Sequence, residues 1–322
     1  MKVLMRQGNL SHEFLRFLVQ IGCDGIDIHN AESVPGLAEN GYPHLEEFRV
    51  LLRRVNDTGL EVYRVAPAEP QQFLRGEPGG EEQLDQLVKT VEILGQLGIP
   101  FMSMPVHLAQ TPGGRHFNPA FRGGYSQKFR GGYTMGGFNA ERMKKSIAEQ
   151  PLEPFPVEDH WNRCVQMYER LVPVAENYNV KLIIHPSDPP LDAAEFSPQR
   201  WTDILEAMPS DHSGLLYCIG TRIEAFGDGI LDDIRHWGGK GKIFHTHFRN
   251  VQGNMPAGGY AECALDDGDI NMFTVLQTLQ EIGFDGGLQI DHVPDYTDDH
   301  EQQASIAYAV AYTKGMLKAL EA

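Results

Sequence analysis

The chain has 322 residues, of which 41% are hydrophobic and 22% charged, with a formal net charge of −17 at pH 7. That balance argues for a globular protein rather than a disordered one, and against nucleic acid or an anionic membrane as partner, since both need a basic face. The length suits one (β/α)₈ barrel, which uses roughly 250 residues plus insertions.

Short β-branched runs alternate with longer amphipathic ones. VLM near residue 3 precedes LSHEFLRFLVQIG, in which Phe14, Phe17 and Leu18 share a helical face. GIDIH (25–29) is followed by HLEEFRVLLRRVNDTG, and LEVYRVA (60–66) by EEQLDQLVKTVEILGQLG. PFMSMPV (100–106) opens into a long stretch that ends at the helix WNRCVQMYERLVPVAENYN, which leads into KLIIHP. The rhythm then continues through QRWTDILEAM and GLLYCIG, GILDDIRHW and KIFHTHF, NMFTVLQTLQEIG and GGLQIDH, with a last helix ASIAYAVAYTKGMLKAL. Glycines close several helices just before a strand (QIGCDGI, NDTGLEV, QLGIPF, EIGFDG), as short αβ turns require. Eight alternating units without a linker predict one (β/α)₈ TIM-barrel domain over 1–322; a doubly wound sheet is the alternative.

The irregular stretch, 107–158, contains RGGY twice (122–125 and 130–133). Loops of this length without periodicity are usually functional or disordered. Its aromatics (Phe117, Phe121, Tyr125, Phe129, Tyr133, Phe138) predict a lid-like insertion, with Arg115, Arg122 and Arg130 placed to close on a carboxylate. A surface insertion or an oligomer contact is the plainer reading.

MKVLMRQGNLSHEF turns polar before an apolar core of signal-peptide length develops, and no run of about 18 apolar residues follows. The four cysteines, Cys23, Cys164, Cys218 and Cys263, lack CxxC spacing. Together these predict a cytoplasmic protein without disulfides.

Four polar residues stand at the ends of four successive strand-like runs: His185, Cys218, His247 and Asp291. They are separated by roughly 30 to 45 residues, one strand-plus-helix unit each, so a barrel gathers them at its C-terminal mouth. Singly, the histidine or the cysteine reads as a packing residue; together a thiolate, two imidazoles and a carboxylate form a ligand set for a divalent metal. Their summed charge of about −2 neutralises the ion. Mn²⁺, Fe²⁺ or Co²⁺ fits, with room for substrate; Mg²⁺ avoids thiolate, and tetrahedral Zn²⁺ would be a closed structural site. His245 lies on the same side of its strand as His247, either deeper in the barrel or beside the substrate. Arg249 points to the same mouth and is the expected partner of a substrate carboxylate.

These segments resemble the mannonate dehydratases of the sugar isomerase-like barrel group. The likeness rests on His-Pro-Ser-Asp-Pro-Pro at 185–190, Cys-Ile-Gly at 218–220, His-Phe-Arg-Asn-Val at 247–251, Asp-Gly-Asp-Ile-Asn-Met at 267–272 with Asp266 before it, and Asp-His at 291–292. It covers mainly residues 180–292; at the start, the family's Arg-Trp-Tyr-like strand reads Met-Arg-Gln-Gly. The resemblance implies a lyase that removes water from D-mannonate to give 2-keto-3-deoxy-D-gluconate, with His185, Cys218, His247 and Asp291 on Mn²⁺. It further implies His292 as acid or base, Arg249 on the carboxylate, and a tyrosine near the last helix, here Tyr296. The expected partner is a small sugar acid; oligomeric state is left open. The rivals are a metal-dependent isomerase or epimerase of the same barrel group, and a non-catalytic sugar-acid-binding barrel.

Overall fold

A computed structural model describes residues 1–108, 124–149, 157–190 and 198–322. Eight parallel strands close the barrel in the order β1 (Lys2–Gln7), β2 (Gly25–Ile28), β3 (Glu61–Val65), β4 (Phe101–Ser103), β7 (Lys181–Ile184), β8 (Ser213–Cys218), β9 (Ile243–His247) and β12 (Gly287–Ile290). Lys2 to Met5 pair with Gly287 to Ile290, so the last strand returns to the first and a doubly wound sheet is excluded. Strands such as β2 and β8 are buried along their whole length, as expected where helices cover the outside of a parallel sheet.

The helices follow from local chemistry. Ser11 caps His12–Ile21, its hydroxyl accepting from the Phe14 amide at 3.3 Å; Gly22, at φ 96°, closes it by donating its N–H to the carbonyls of Leu18 and Val19. The helix buries Phe14, Leu15 and Leu18 against the barrel, each contributing about 1.5–3 kcal/mol of transfer free energy. Among the described residues no helix is long and apolar enough to cross a membrane.

The 107–158 segment departs from expectation. Its described part is regular: β5 (Gly124–Lys128) and β6 (Thr134–Asn139) form a hairpin, followed by a helix over Ala140–Glu149. The second RGGY is the turn, with Gly131 at φ 65° and Gly132 at φ 92°, backbone angles that disfavour other residues. The hairpin joins β10 (Asn250–Asn254) and β11 (Gly259–Cys263) in an antiparallel sheet of order β10-β11-β6-β5, hence beside the loop that follows β9. Thr134 and Asp295 form a backbone bridge from this sheet to the segment after β12.

Candidate metal centre

Cys218 ends β8 and caps the helix Ile219–Phe226. Its sulfur is buried and accepts hydrogen bonds from the Thr221 amide at 3.4 Å and the Thr221 hydroxyl at 3.1 Å. Burial pushes the thiol up to about 12, although Arg249 pulls the other way. His247, the last residue of β9, stands in register with Cys218. His185 follows β7, with its ring 5.0 Å from that of His247.

One ligand atom from each of His185, Cys218 and His247 lies within 4.8 Å of the other two. His185 Nδ1 is 2.5 Å from the Pro186 carbonyl; assigned as the donor there, it leaves Nε2 with its lone pair. Burial draws His185 down to about 4 and His247 well below the usual imidazole range. Both nitrogens of His247 are buried without a hydrogen-bond partner among the described residues. Orphaned imidazole nitrogens beside a thiol and a second imidazole fit a bound divalent cation.

Asp291, one residue past β12, adjoins this trio. Its Oδ2 is 3.2 Å from His247 Nδ1, out of line for a hydrogen bond, and its Oδ1 is 3.0 Å from Arg6. Burial alone would raise its carboxyl, yet His247, His292 and Arg6 hold it well below the carboxylate range. His292 bridges two acids, with Nδ1 2.7 Å from Glu262 and Nε2 3.4 Å from Asp291. Burial opposes its protonation, but those two carboxylates win and raise its pKa.

Four further expectations meet a different geometry. Both terminal nitrogens of Arg249 are engaged inside the protein: Nη1 donates to Glu224 at 2.5 Å, and Nη2 to Asp188 at 2.7 Å and the Thr221 hydroxyl at 2.8 Å. With Glu262 at 3.4 Å and Asp291 at 3.7 Å, the guanidinium sits amid four carboxylates and offers no free fork to a substrate. Arg130 is spent on Asp266, through a bidentate pair at 2.6 and 2.8 Å. His245 lies sealed below the mouth, Nε2 2.6 Å from Asp27, because two residues down a strand is one layer deeper in the barrel. Tyr296 precedes the final helix (Gln303–Leu320) and packs edge-on against Tyr133, with ring centres 5.9 Å apart, in a small cluster with Met135 and Ala264. Arg115 and Arg122 lie outside the described residues.

Two adjoining cavities of about 610 and about 470 Å³ share Arg6, His29, Glu262, Asp291 and His292, and His185 and His247 line the smaller one. Arg6 on β1 and His29 just past β2 obey the same strand-end rule that singles out His185; read in the first half of the sequence, that rule would have found them. Glu262, on β11, and Glu224, on a helix, carry no such signal.

Fold and mouth together define the class: an α/β-barrel enzyme with polar, metal-competent groups gathered at the C-terminal ends of its strands. A family model described as D-mannonate dehydratase (UxuA) matches residues 128–322. A curated mannonate dehydratase of Brachyspira hyodysenteriae is 25% identical over 311 residues, covering 86% of each chain. The solved mannonate dehydratase of Streptococcus suis serotype 2 superposes with a TM-score of 0.80 at 23% identity, covering 99% of this chain and 94% of that one. A D-psicose 3-epimerase from Clostridium cellulolyticum H10 shares the fold alone, at TM-score 0.63 and 12% identity. The chain belongs to the D-mannonate dehydratase family, and its class of reaction is that of a hydro-lyase.

Proposed function

We propose that this chain removes water from D-mannonate to give 2-keto-3-deoxy-D-gluconate, using a divalent ion held by His185, Cys218, His247 and Asp291. Mn²⁺ is the favoured ion and Fe²⁺ or Co²⁺ are alternatives, since thiolate and imidazole donors disfavour Mg²⁺. The carrying observation is the imidazole–thiol–imidazole trio, whose two histidines line a cavity that also holds a carboxylate-braced histidine.

When bound, the ion would supply positive charge against the negative charge that develops beside the substrate carboxylate as a base takes the C2 proton. His292, whose pKa the Asp291 and Glu262 carboxylates raise, donates to the C3 hydroxyl. The C3–O bond breaks, water leaves, and the resulting enol ketonises to the 2-keto-3-deoxy acid. Arg249 acts through its neighbours: it donates to Glu224 and Asp188 and holds the Thr221 hydroxyl that faces the Cys218 sulfur.

The test is to incubate purified, Mn²⁺-loaded protein with D-mannonate and assay for a 2-keto-3-deoxy acid, with a panel of hexonates and ketoses alongside. Product from an aldonate is expected. Epimerisation of a ketose with no elimination from any hexonate would overturn the reading.

A further inference from the structure

An aldonate enters this mouth against an unfavourable field. The chain carries a net charge of −17, and Glu262, Asp291, Asp295 and Glu301 all line the larger cavity. A carboxylate binds there only if local cations meet it, and beside the ion and His292 an arginine is the side chain suited to that task. With Arg249 and Arg130 consumed by internal acids, the described arginines that line the two cavities are Arg6 and Arg64.

Arg64 is saturated. Its Nε donates to Asp27 at 3.1 Å, Nη1 to Ser103 at 2.7 Å and Nη2 to Gln289 at 2.9 Å, and only 1% of its surface is exposed. Arg6 differs in each respect. It lines both cavities, its side chain is 31% exposed, and its one ion pair among the described residues is Nη1 to Asp291 Oδ1 at 3.0 Å. On a side chain that lines both cavities, the rest of a planar fork suits bidentate capture of a carboxylate. Asp291 in turn touches His247, so a carboxylate on Arg6 lies one residue away from the metal-competent trio.

We infer that Arg6, at the C-terminal end of β1, recognises the substrate carboxylate and sets the preference for sugar acids over neutral sugars. This inference rests on the dehydratase reading and deepens it. It also gives the mouth a division of labour: β1 reads the acid, β7 to β9 and β12 supply the candidate ligands, and His292 faces the leaving group.

The experiment compares wild type, Arg6→Gln and Arg6→Lys, all Mn²⁺-loaded, by calorimetric binding of D-gluconate and of the neutral hexitol D-mannitol, with metal stoichiometry and D-mannonate kinetics on the same samples. Wild type is expected to bind gluconate and to discriminate against the hexitol. Arg6→Gln should weaken gluconate binding and raise KM for mannonate by roughly 10- to 100-fold at unchanged metal content, the loss expected of a charge-assisted hydrogen bond. Arg6→Lys should recover part of the affinity, since it keeps the charge and loses the fork. It also serves as the folded control if the glutamine variant is unstable. Unchanged discrimination in both variants, or lost metal with KM unaltered, overturns the inference and leaves Arg6 as a mere support for Asp291. Wild-type discrimination that depends on Arg6 with no turnover of any hexonate would instead sink the dehydratase reading alone.

Discussion

Cys218 and His247 are register partners on adjacent parallel strands, β8 and β9. Partners in register present their side chains to the same face, so one strand pairing brings a thiol and an imidazole together on the barrel's inner side. The thiol also caps a helix, which fixes the sulfur from the other direction.

Cys218→Ala separates these two duties. Losing the cap acceptor costs about 0.5–2 kcal/mol, a decrement the barrel core withstands. Losing the sulfur should weaken Mn²⁺ binding by more than the roughly 10- to 100-fold seen when only a supporting contact is cut. Elemental analysis after gel filtration and a urea melt check both halves. Full metal occupancy in the folded variant would move the site elsewhere.

Metal uptake should release a proton. Burial pushes the Cys218 thiol up to about 12, so it is protonated at neutral pH and must ionise to ligate, whereas His185, drawn down to about 4, is already neutral. Apparent affinity should therefore rise close to tenfold per pH unit between about pH 6 and 9, the thiolate supplying the whole dependence. Titration calorimetry in buffers of different ionisation enthalpy should count about one proton for wild type and none for Cys218→Ala. A count near zero in wild type would mean that the thiol is not a ligand.

Substitution of Arg249 should register in stability rather than in substrate affinity. Removing a buried guanidinium that faces Glu224, Asp188, Glu262 and Asp291 leaves buried acids without their cation, at a cost of about 3–5 kcal/mol. Arg249→Met should show this as a lower urea midpoint. Arg249→Lys should recover little, because an ammonium cannot reach Glu224, Asp188 and Thr221 in one plane. A stable Arg249→Met protein with a raised KM would restore the clamp that the sequence suggested.

The difference between what was legible and what was not has a physical cause. His185, Cys218 and His247 could be read because a single strand places each, and a barrel converts regular spacing into proximity. The fate of Arg249 could not: Asp188 lies in the loop after β7, Glu224 on a helix and Glu262 on β11, and only the folded chain brings them to one guanidinium. The pairing of Arg130 with Asp266 was hidden for a similar reason, its acid partner being 136 residues away. His245 and His247 look alike in the sequence, and depth in the barrel alone separates them. The second sheet stayed hidden because Gly-rich strands such as TMGGFN carry little alternation, and pair here with a hairpin from a distant loop.

Below the mouth, Asp27 has a different kind of weight. Its Oδ2 accepts from Arg64 at 3.1 Å and lies 2.6 Å from His245 Nε2, all three buried, and Arg64 links onward through Gln289 towards Asp291. Burial alone would raise the Asp27 carboxyl, yet His245 and Arg64 hold it below its ordinary value of 3.8. A depressed carboxyl contributes stability that is present above its unfolded pKa and is lost as pH falls through the folded one. Wild type should therefore lose stability progressively below about pH 4, and Asp27→Asn should show a shallower acid slope from a lower starting point. At pH 7 the variant leaves Arg64 buried without its counter-charge, which costs about 3–5 kcal/mol. Urea melts of both proteins at pH 3, 4, 5 and 7 check the slope and the offset together. An acid slope identical in the two would assign the pH sensitivity to other carboxylates and reduce Asp27 to a hydrogen-bond acceptor.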